Sequence, residues 1–290
     1  MKHQIHLFAS FILVLFMTGC TNLSVFVANI PAYFDGSKVY KDIVFQKNYN
    51  LALDIYMPPE SVPVKPQTIV FFYGGSWEGG HKEQYRFLGS ALSNKGYIVF
   101  IPDYRKYPTV KFPDFMFDAA DAVKWVNAHV AEYGGKQRSL VLMGHSAGAN
   151  IATLLITDKS YLKNAYKSIS AGISLSGAYD FTPNTDNLKS IFGPPEKYPL
   201  MRPITFVDGD EPPLFLAHGK DDDIVASFNF EHMRDKLRKK NVCVVSKEYE
   251  SFGHINTIGE FSWVGGKQSV MIQDVLDFLK NNESKATCKN

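Results

Sequence analysis

The chain has 290 residues, 45% of them apolar, and a formal net charge of +2. That length and composition suffice for one large buried core, and a charge so close to balance, without a basic cluster or an aromatic-basic stripe, excludes nucleic acid as the organising partner. There is no internal repeat, low-complexity tract or heptad run, so function has to reside in a site rather than in bulk properties.

The first segment is a targeting pattern. Lys2 supplies a short positive end, and Ile5 to Phe16 form an apolar run too short to span a bilayer comfortably. The run closes on Met17-Thr18-Gly19-Cys20, which resembles the bacterial lipobox, with Met where that motif prefers Leu. The resemblance implies a signal peptide over 1–19 and acylation of Cys20. It also implies a place in the bacterial cell envelope, with the catalytic domain on the periplasmic or extracellular side of the membrane that holds the lipid. Thr21, rather than Asp, follows the cysteine, which does not argue for inner-membrane retention. Residues 20–38 read as anchor and tether.

Asp42 to Gln46 and Leu51 to Met57 alternate like an antiparallel pair, with Lys47-Asn48-Tyr49-Asn50 as the turn. Pro58 to Gln67, with four prolines, is a surface loop. Thr68 to Tyr73 is a continuous apolar strand that runs into Gly74-Gly75-Ser76. Glu83 to Lys95 reads as a helix closed by Gly96, and Tyr97 to Ile101 as the next buried strand. Phe115, Ala119, Ala122, Val123, Val126 and Val130 recur at helical spacing, and Gly134-Gly135 ends that helix. Ser139 to Met143 is a strand and Ala149 to Ile156 a helix, with Gly144-His145-Ser146-Ala147-Gly148 between them. Ala171 to Leu175 and Pro213 to Ala217 are further buried strands, separated by a Pro- and Asp-rich stretch, 179–210, that reads as a cap or loop region over the sheet. Ala226 to Lys240 is a helix, Val242 to Tyr249 a strand and Lys267 to Asn281 a last helix. Continuous apolar strands alternating with helices mean an α/β domain with a mostly parallel sheet, covered on both faces, over 39–282. Residues 283–290 form a tail. Active groups are then expected at the carboxyl ends of strands.

Gly-x-Ser-x-Gly on a sharp strand-to-helix turn holds a serine hydroxyl clear of the sheet, with a helix N-terminus behind it. A serine needs a base oriented by a third group, and in this arrangement the order after the nucleophile is Asp, then His. His254 stands in a loop after the last strand, where a base is needed. His145 neighbours Ser146 and reads as a packing residue, and His81, in a Gly-rich loop, stays open as an alternative base. Asp221, Asp222 and Asp223 are consecutive, and spacing alone does not choose among them. Tyr73-Gly74-Gly75-Ser76-Trp77 offers backbone N–H groups to a substrate oxyanion, and the N–H of Ala147 completes the set.

With these motifs the chain resembles the α/β-hydrolase fold, and within it the carboxylesterases related to hormone-sensitive lipase and the bacterial feruloyl and acetyl-xylan esterases. Asp103-Tyr104-Arg105 with Pro108, Phe112-Pro113-Asp114 and Ala131-Glu132-Tyr133-Gly134-Gly135 match that family's segments. His218-Gly219-x-x-Asp222-x-x-Val225 matches its acid loop and selects Asp222; Gly253-His254 matches its base. The resemblance carries over Gly75 and Ser76 as oxyanion donors and places Tyr73, Gly74 and Trp77 at the substrate. Tyr73 stands where the family usually has His, and its hydroxyl either holds the loop or reaches toward the substrate.

The expected function is a serine carboxylesterase acting on short-acyl esters through Ser146, His254 and Asp222, with no metal or organic cofactor. Amide hydrolysis of the arylformamidase type and a non-catalytic binding lipoprotein are the alternatives. Cys243 and Cys288 are expected to pair, because the last helix must return antiparallel to the strand that Cys243 opens.

Overall fold

A computed structural model describes residues 25–263 and 269–283. The signal segment, Cys20 and Cys288 lie outside them. The described residues form an eight-stranded sheet in the order β1-β2-β4-β3-β5-β6-β7-β8. The antiparallel edge is β1 (Lys38–Gln46) with β2 (Leu51–Met57), and β2 also pairs antiparallel with β4 (Ile98–Pro102). From β4 onward the strands are parallel: β3 (Thr68–Phe72), β5 (Leu140–His145), β6 (Ile169–Leu175), β7 (Leu214–Gly219) and β8 (Val244–Tyr249). Successive side chains in a strand face opposite ways, so the unbroken burial of β3, β4, β5 and β7 means that both faces are covered. β8 is half exposed, as befits an edge.

The main helices are α1 (Arg86–Ser93), α2 (Asp114–His129), α3 (Ala147–Thr157), α4 (Asp186–Phe192), α5 (Phe228–Lys239) and α6 (Val270–Glu283). α2 buries the apolar stripe expected of it, including Phe115, Ala119, Val123 and Val126, and passes through a 3-10 turn to Gly134 in the left-handed region. α1 starts later than its apolar pattern suggests, because Lys82–Tyr85 is a separate 3-10 turn. The stretch 179–210 contains α4, the short helix Tyr198–Met201 and two 3-10 turns, and so has no long apolar helix.

The expected tether over 20–38 is corrected from residue 25 onward, where the chain is docked on the domain. Residues 25–29 are helical and Pro31–Tyr33 forms a 3-10 turn. Asn29 Oδ1 accepts from the Phe87 N–H at 2.7 Å, its Nδ2 donates to Gln84 O, and Arg86 Nε donates to Ala32 O. Tyr85, at the N-cap of α1, makes no side-chain cap of its own, so Asn29 supplies one of the acceptors that the helix start lacks.

A buried cation fastens the antiparallel edge to this region. Lys82 Nζ lies 2.6 Å from Asp42, 2.5 Å from Glu83 and 3.1 Å from Asp54, and both Lys82 and Asp54 are almost fully buried. Burial pulls the Lys82 ammonium down, but the three carboxylates outweigh it and hold it above its ordinary value. Removing the cation strands Asp54 without its partner. Lys82→Met is therefore expected to lower folding stability by about 3–5 kcal/mol in urea unfolding, and a loss under about 1 kcal/mol would show that the cluster holds little.

Candidate active site

The turn between β5 and α3 puts Ser146 at φ 56°, ψ −123°, a backbone conformation strained for any residue with a side chain. Two glycines make the turn possible. A Cβ on Gly148 would lie 2.1 Å from Phe72 O, and one on Gly144 would lie 2.2 Å from Gly148 O. The Ser146 N–H donates to Leu175 O on β6 at 2.9 Å, which ties the turn to the next strand.

His254 follows β8 in a tight turn. Gly253 N–H donates to Asn256 Oδ1, and Thr257 Oγ1 donates back to His254 O. The imidazole bridges the other two groups: Nε2 is 2.8 Å from Ser146 Oγ and Nδ1 is 2.8 Å from Asp222 Oδ2. A carboxylate only accepts, so Nδ1 carries the proton and Nε2 is free to take the one on Ser146. The Asp222 side chain is fully buried, whereas Asp221 and Asp223 are exposed. Asp222 Oδ1 accepts from the N–H groups of Ile224 and Val225 at 3.0 and 2.8 Å. Burial works against the charge on Asp222, but the His254 ring and these two N–H groups overcome it and bring the carboxyl down to about 2.

Two more histidines lie close by. His145 Nε2 donates to His254 O at 3.1 Å, and its ring sits 4.9 Å from that of His254. Burial first, and the neighbouring His254 second, push His145 down to about 3. It adds no positive charge beside the base at neutral pH. His218 is buried against Phe230, 3.9 Å from Asp222, and burial lowers its pKa too.

The loop after β3 folds on itself: Gly75 O accepts from Glu78 N–H at 2.9 Å and from Gly79 N–H at 2.8 Å. Gly75 takes φ +129°, with Ser76 and Trp77 also at positive φ. The N–H groups of Gly75, Ser76 and Ala147 donate to no acceptor among the described residues. Ala147 opens α3, so its N–H lies outside the helix's own ladder. Ser76, Ala147 and Ser146 line one partly open cavity of about 270 Å³, together with Trp77, Phe181, Leu188, Ile224 and Phe228. These are the parts of a nucleophilic acyl-transfer site: a hydroxyl with a base, an oriented imidazole and unspent donors beside a small pocket.

Of the three residues expected at the substrate, Trp77 lines this cavity, while Tyr73 and Gly74 do not. Tyr73 is corrected to a loop-holding residue. It is fully buried, its hydroxyl donates to Asp103 Oδ1 at 2.6 Å, and Lys106 Nζ donates to that hydroxyl at 2.9 Å. Tyr104 and Tyr85 stack on its two sides. Gly74 abuts the nucleophile, with space for a Cβ only 3.0 Å from Ser146 Cβ. Trp77 packs flat on Phe181 and edge-on to Phe192, and its indole N–H meets no acceptor among the described residues.

Asp103, Lys106 and Asn150 were not singled out individually in the sequence. Asn150 Nδ2 donates to Ala178 O and Met201 O, which fastens the cap stretch to the helix behind the nucleophile. Its signal was its place on the first turn of α3, one turn after Ser146.

A family model described as BD-FAE matches residues 53–237. Among curated relatives, the chain is 28% identical to "Probable isoprenylcysteine alpha-carbonyl methylesterase ICMEL1" of Arabidopsis thaliana, over 89% of this chain and 59% of that protein. It is 29% identical to "Probable carboxylic ester hydrolase LipM" of Mycobacterium tuberculosis, over 64% of this chain and 48% of that protein. The chain thus spans about half to three-fifths of the length of these two relatives. A solved structure described as a truncated carbohydrate esterase from gut microbiota superposes with a TM-score of 0.73 at 18% identity, covering 86% of this chain and 98% of that one. This likeness is one of fold, and the fold is that of the α/β-hydrolases.

The unfolded chain protonates His145 near its ordinary 6.5, while the folded chain does so near 3, so folding stability falls as pH drops through that window. In NMR titration the His145 ring signals are expected to stay fixed from pH 8 to about pH 4. A midpoint close to 6.5 would overturn the burial account.

Proposed function

The chain belongs to the BD-FAE family, and on that footing we propose that it is a serine carboxylesterase acting on small, short-acyl esters. The observation that carries the reading is the unbroken chain of contacts, each 2.8 Å, from Ser146 through His254 to Asp222. Ser146 Oγ attacks the ester carbonyl while His254 Nε2 takes its proton. The N–H groups of Gly75, Ser76 and Ala147 receive the oxyanion. On collapse, His254 returns the proton to the departing alcohol. Water, activated by the same imidazole, then releases the acid and restores Ser146. Asp222, with its carboxyl held at about 2, stays ionised and stabilises the imidazolium throughout. The small size of the cavity, about 270 Å³ and lined by Phe181, Leu188, Ile224 and Phe228, favours a short acyl group.

We also propose that the mature protein starts at an acylated Cys20 and works on a membrane of the bacterial cell envelope, and that Cys243 is paired with Cys288. The signal pattern of residues 1–20 supports the first. The path of α6 supports the second. Asn282 Nδ2 donates to Ser170 O at the start of β6, and Cys243 O accepts from Leu214 N–H at the start of β7, so both ends lie at the amino edge of the sheet. A bridge there would constrain the unfolded chain by about 4 kcal/mol in the loop-entropy treatment.

A panel of p-nitrophenyl esters from acetyl to dodecanoyl tests the catalytic reading. Acetyl to butyryl esters should react fastest, and a rate that climbs beyond octanoyl rejects the small acyl pocket. Ser146→Ala and His254→Ala should each lower kcat by about 10³- to 10⁶-fold. Asp222→Asn should cost about 10⁴-fold, as a misoriented imidazole does in serine proteases, while Asp221→Asn and Asp223→Asn stay within about threefold of wild type. Retention of more than a tenth of the activity in the Ser146 or His254 variant sinks the assignment.

Intact-mass measurement of the mature protein, alkylated while denatured but unreduced, tests the other two proposals together. The expected mass is that of a chain starting at Cys20 with acyl groups and no alkylated thiol. A chain without acyl mass refutes the anchor, and two alkylated thiols refute the bridge.

A further inference from the structure

Large apolar side chains are exposed on the segment where the described chain begins. Phe26, Ile30 and Phe34 recur at four-residue spacing through residues 25–29 and the turn Pro31–Tyr33, and are 61%, 40% and 84% exposed. The stripe does not belong to a loose end. Its other side is pinned through Asn29 to Phe87 and Gln84, and through Ala32 to Arg86. Trp263, more than half exposed, is tied to the same segment by its indole N–H on Val27 O at 3.0 Å. Ile255, next to His254, is exposed on the neighbouring segment, and with Val25, Ala28, Phe87 and Ile258 it lines an open cavity of about 370 Å³.

A cluster of this kind in water marks a contact surface. Where the chain leads decides what the contact is. Cys20 stands five positions before Val25, a span of at most about 18 Å even when fully extended. An acyl anchor on Cys20 therefore keeps the stripe within reach of the bilayer surface. Aromatic side chains, with an apolar ring body, favour the headgroup level of a membrane, and one lipid attachment gains from a second membrane-directed element.

We propose that Phe26, Ile30, Phe34 and Trp263 form a membrane-docking face that lays the catalytic domain against the bilayer holding its lipid. The proposal rests on the reading of Cys20 as an acylated anchor, and it adds a defined orientation to what would otherwise be a domain on a string. Ile255 extends the face toward the His254 turn, so the catalytic end of the sheet is held close to the membrane rather than turned away from it.

The test uses the full mature protein, purified from membranes and reconstituted in vesicles of phosphatidylethanolamine and phosphatidylglycerol doped with a brominated phosphatidylcholine. Bromine quenches tryptophan fluorescence only at close range, and Trp77 and Trp125 are removed as reporters by substitution with Phe, leaving Trp263. The expected result is strong quenching of Trp263 that drops at least threefold in Phe26→Ser/Ile30→Ser/Phe34→Ser, while the same triple variant with Trp77 and Trp125 retained hydrolyses a soluble acetyl ester within twofold of wild type.

Intact mass and vesicle co-sedimentation separate the two readings. Acylated protein that sediments with vesicles but shows an unquenched Trp263 overturns the docking face and leaves the anchor standing. Unacylated protein that still binds vesicles with Trp263 quenched, through the three apolar residues, supports the face and refutes the anchor. Unacylated protein that does not bind refutes both. A dimer in solution that dissociates in the triple variant, with Trp263 unquenched on vesicles, overturns the proposal in favour of a second copy.

Discussion

The structure depends on a place where two backbones come too close for a side chain. At Gly148, α3 presses against the carbonyls of Phe72 and Tyr73 at the end of β3, leaving no room for a Cβ. One contact does two things. It sets the start of α3, hence the position of Ser146 and of the Ala147 N–H, and it joins that turn to the residues from which the Gly75–Ser76 loop departs. Ser146 and the loop of Gly75 and Ser76 are thus parts of one packed joint and not two loops that must find each other. Parallel pairing of β3 with β5, from Thr68 opposite Leu140 to Phe72 opposite Gly144, brings the two strand ends level and lets the joint form.

Electrostatics around the imidazole are arranged by exclusion as much as by attraction. Asp222 is the acid that the turn points inward, held by two backbone N–H groups, and its charge survives burial because those donors and His254 are aimed at it. His145, in ring contact with His254, is held neutral and serves as a donor to the His254 carbonyl. A second positive charge at that distance would oppose formation of the imidazolium on His254. Burial removes the conflict without removing the hydrogen bond.

Much of this was legible in the sequence because its signals are local. Unbroken apolar runs marked β3 to β7, and small residues flanking Ser146 marked the turn. What was not legible depends on partners distant in the chain. Spacing alone does not separate Asp221, Asp222 and Asp223, which differ in how the turn rotates them; it was the resemblance of the surrounding loop that picked out Asp222. The two roles open to the Tyr73 hydroxyl, holding the loop or reaching the substrate, could not be separated because its acceptor, Asp103, lies beyond a helix and a strand; no local pattern records that contact. The segment after residue 25 read as tether for the same reason. Asn29 looks like an ordinary polar residue until Phe87, 58 positions on, is found against it. The walls of the cavity come from 179–210, where Pro and Asp mark irregular chain without saying which apolar residues turn inward.

Three residues that are not glycine, Ser76, Trp77 and Ser146, hold left-handed backbone around one small cavity. Each such residue carries of order 1–3 kcal/mol of conformational strain, which relaxes if its surroundings loosen. That strain is held in place by the packed turn and the sheet below it. Glycine would ease the backbone at all three positions, but only at 146 would it also remove a hydroxyl that does chemistry; at 76 it would keep the N–H that faces the cavity.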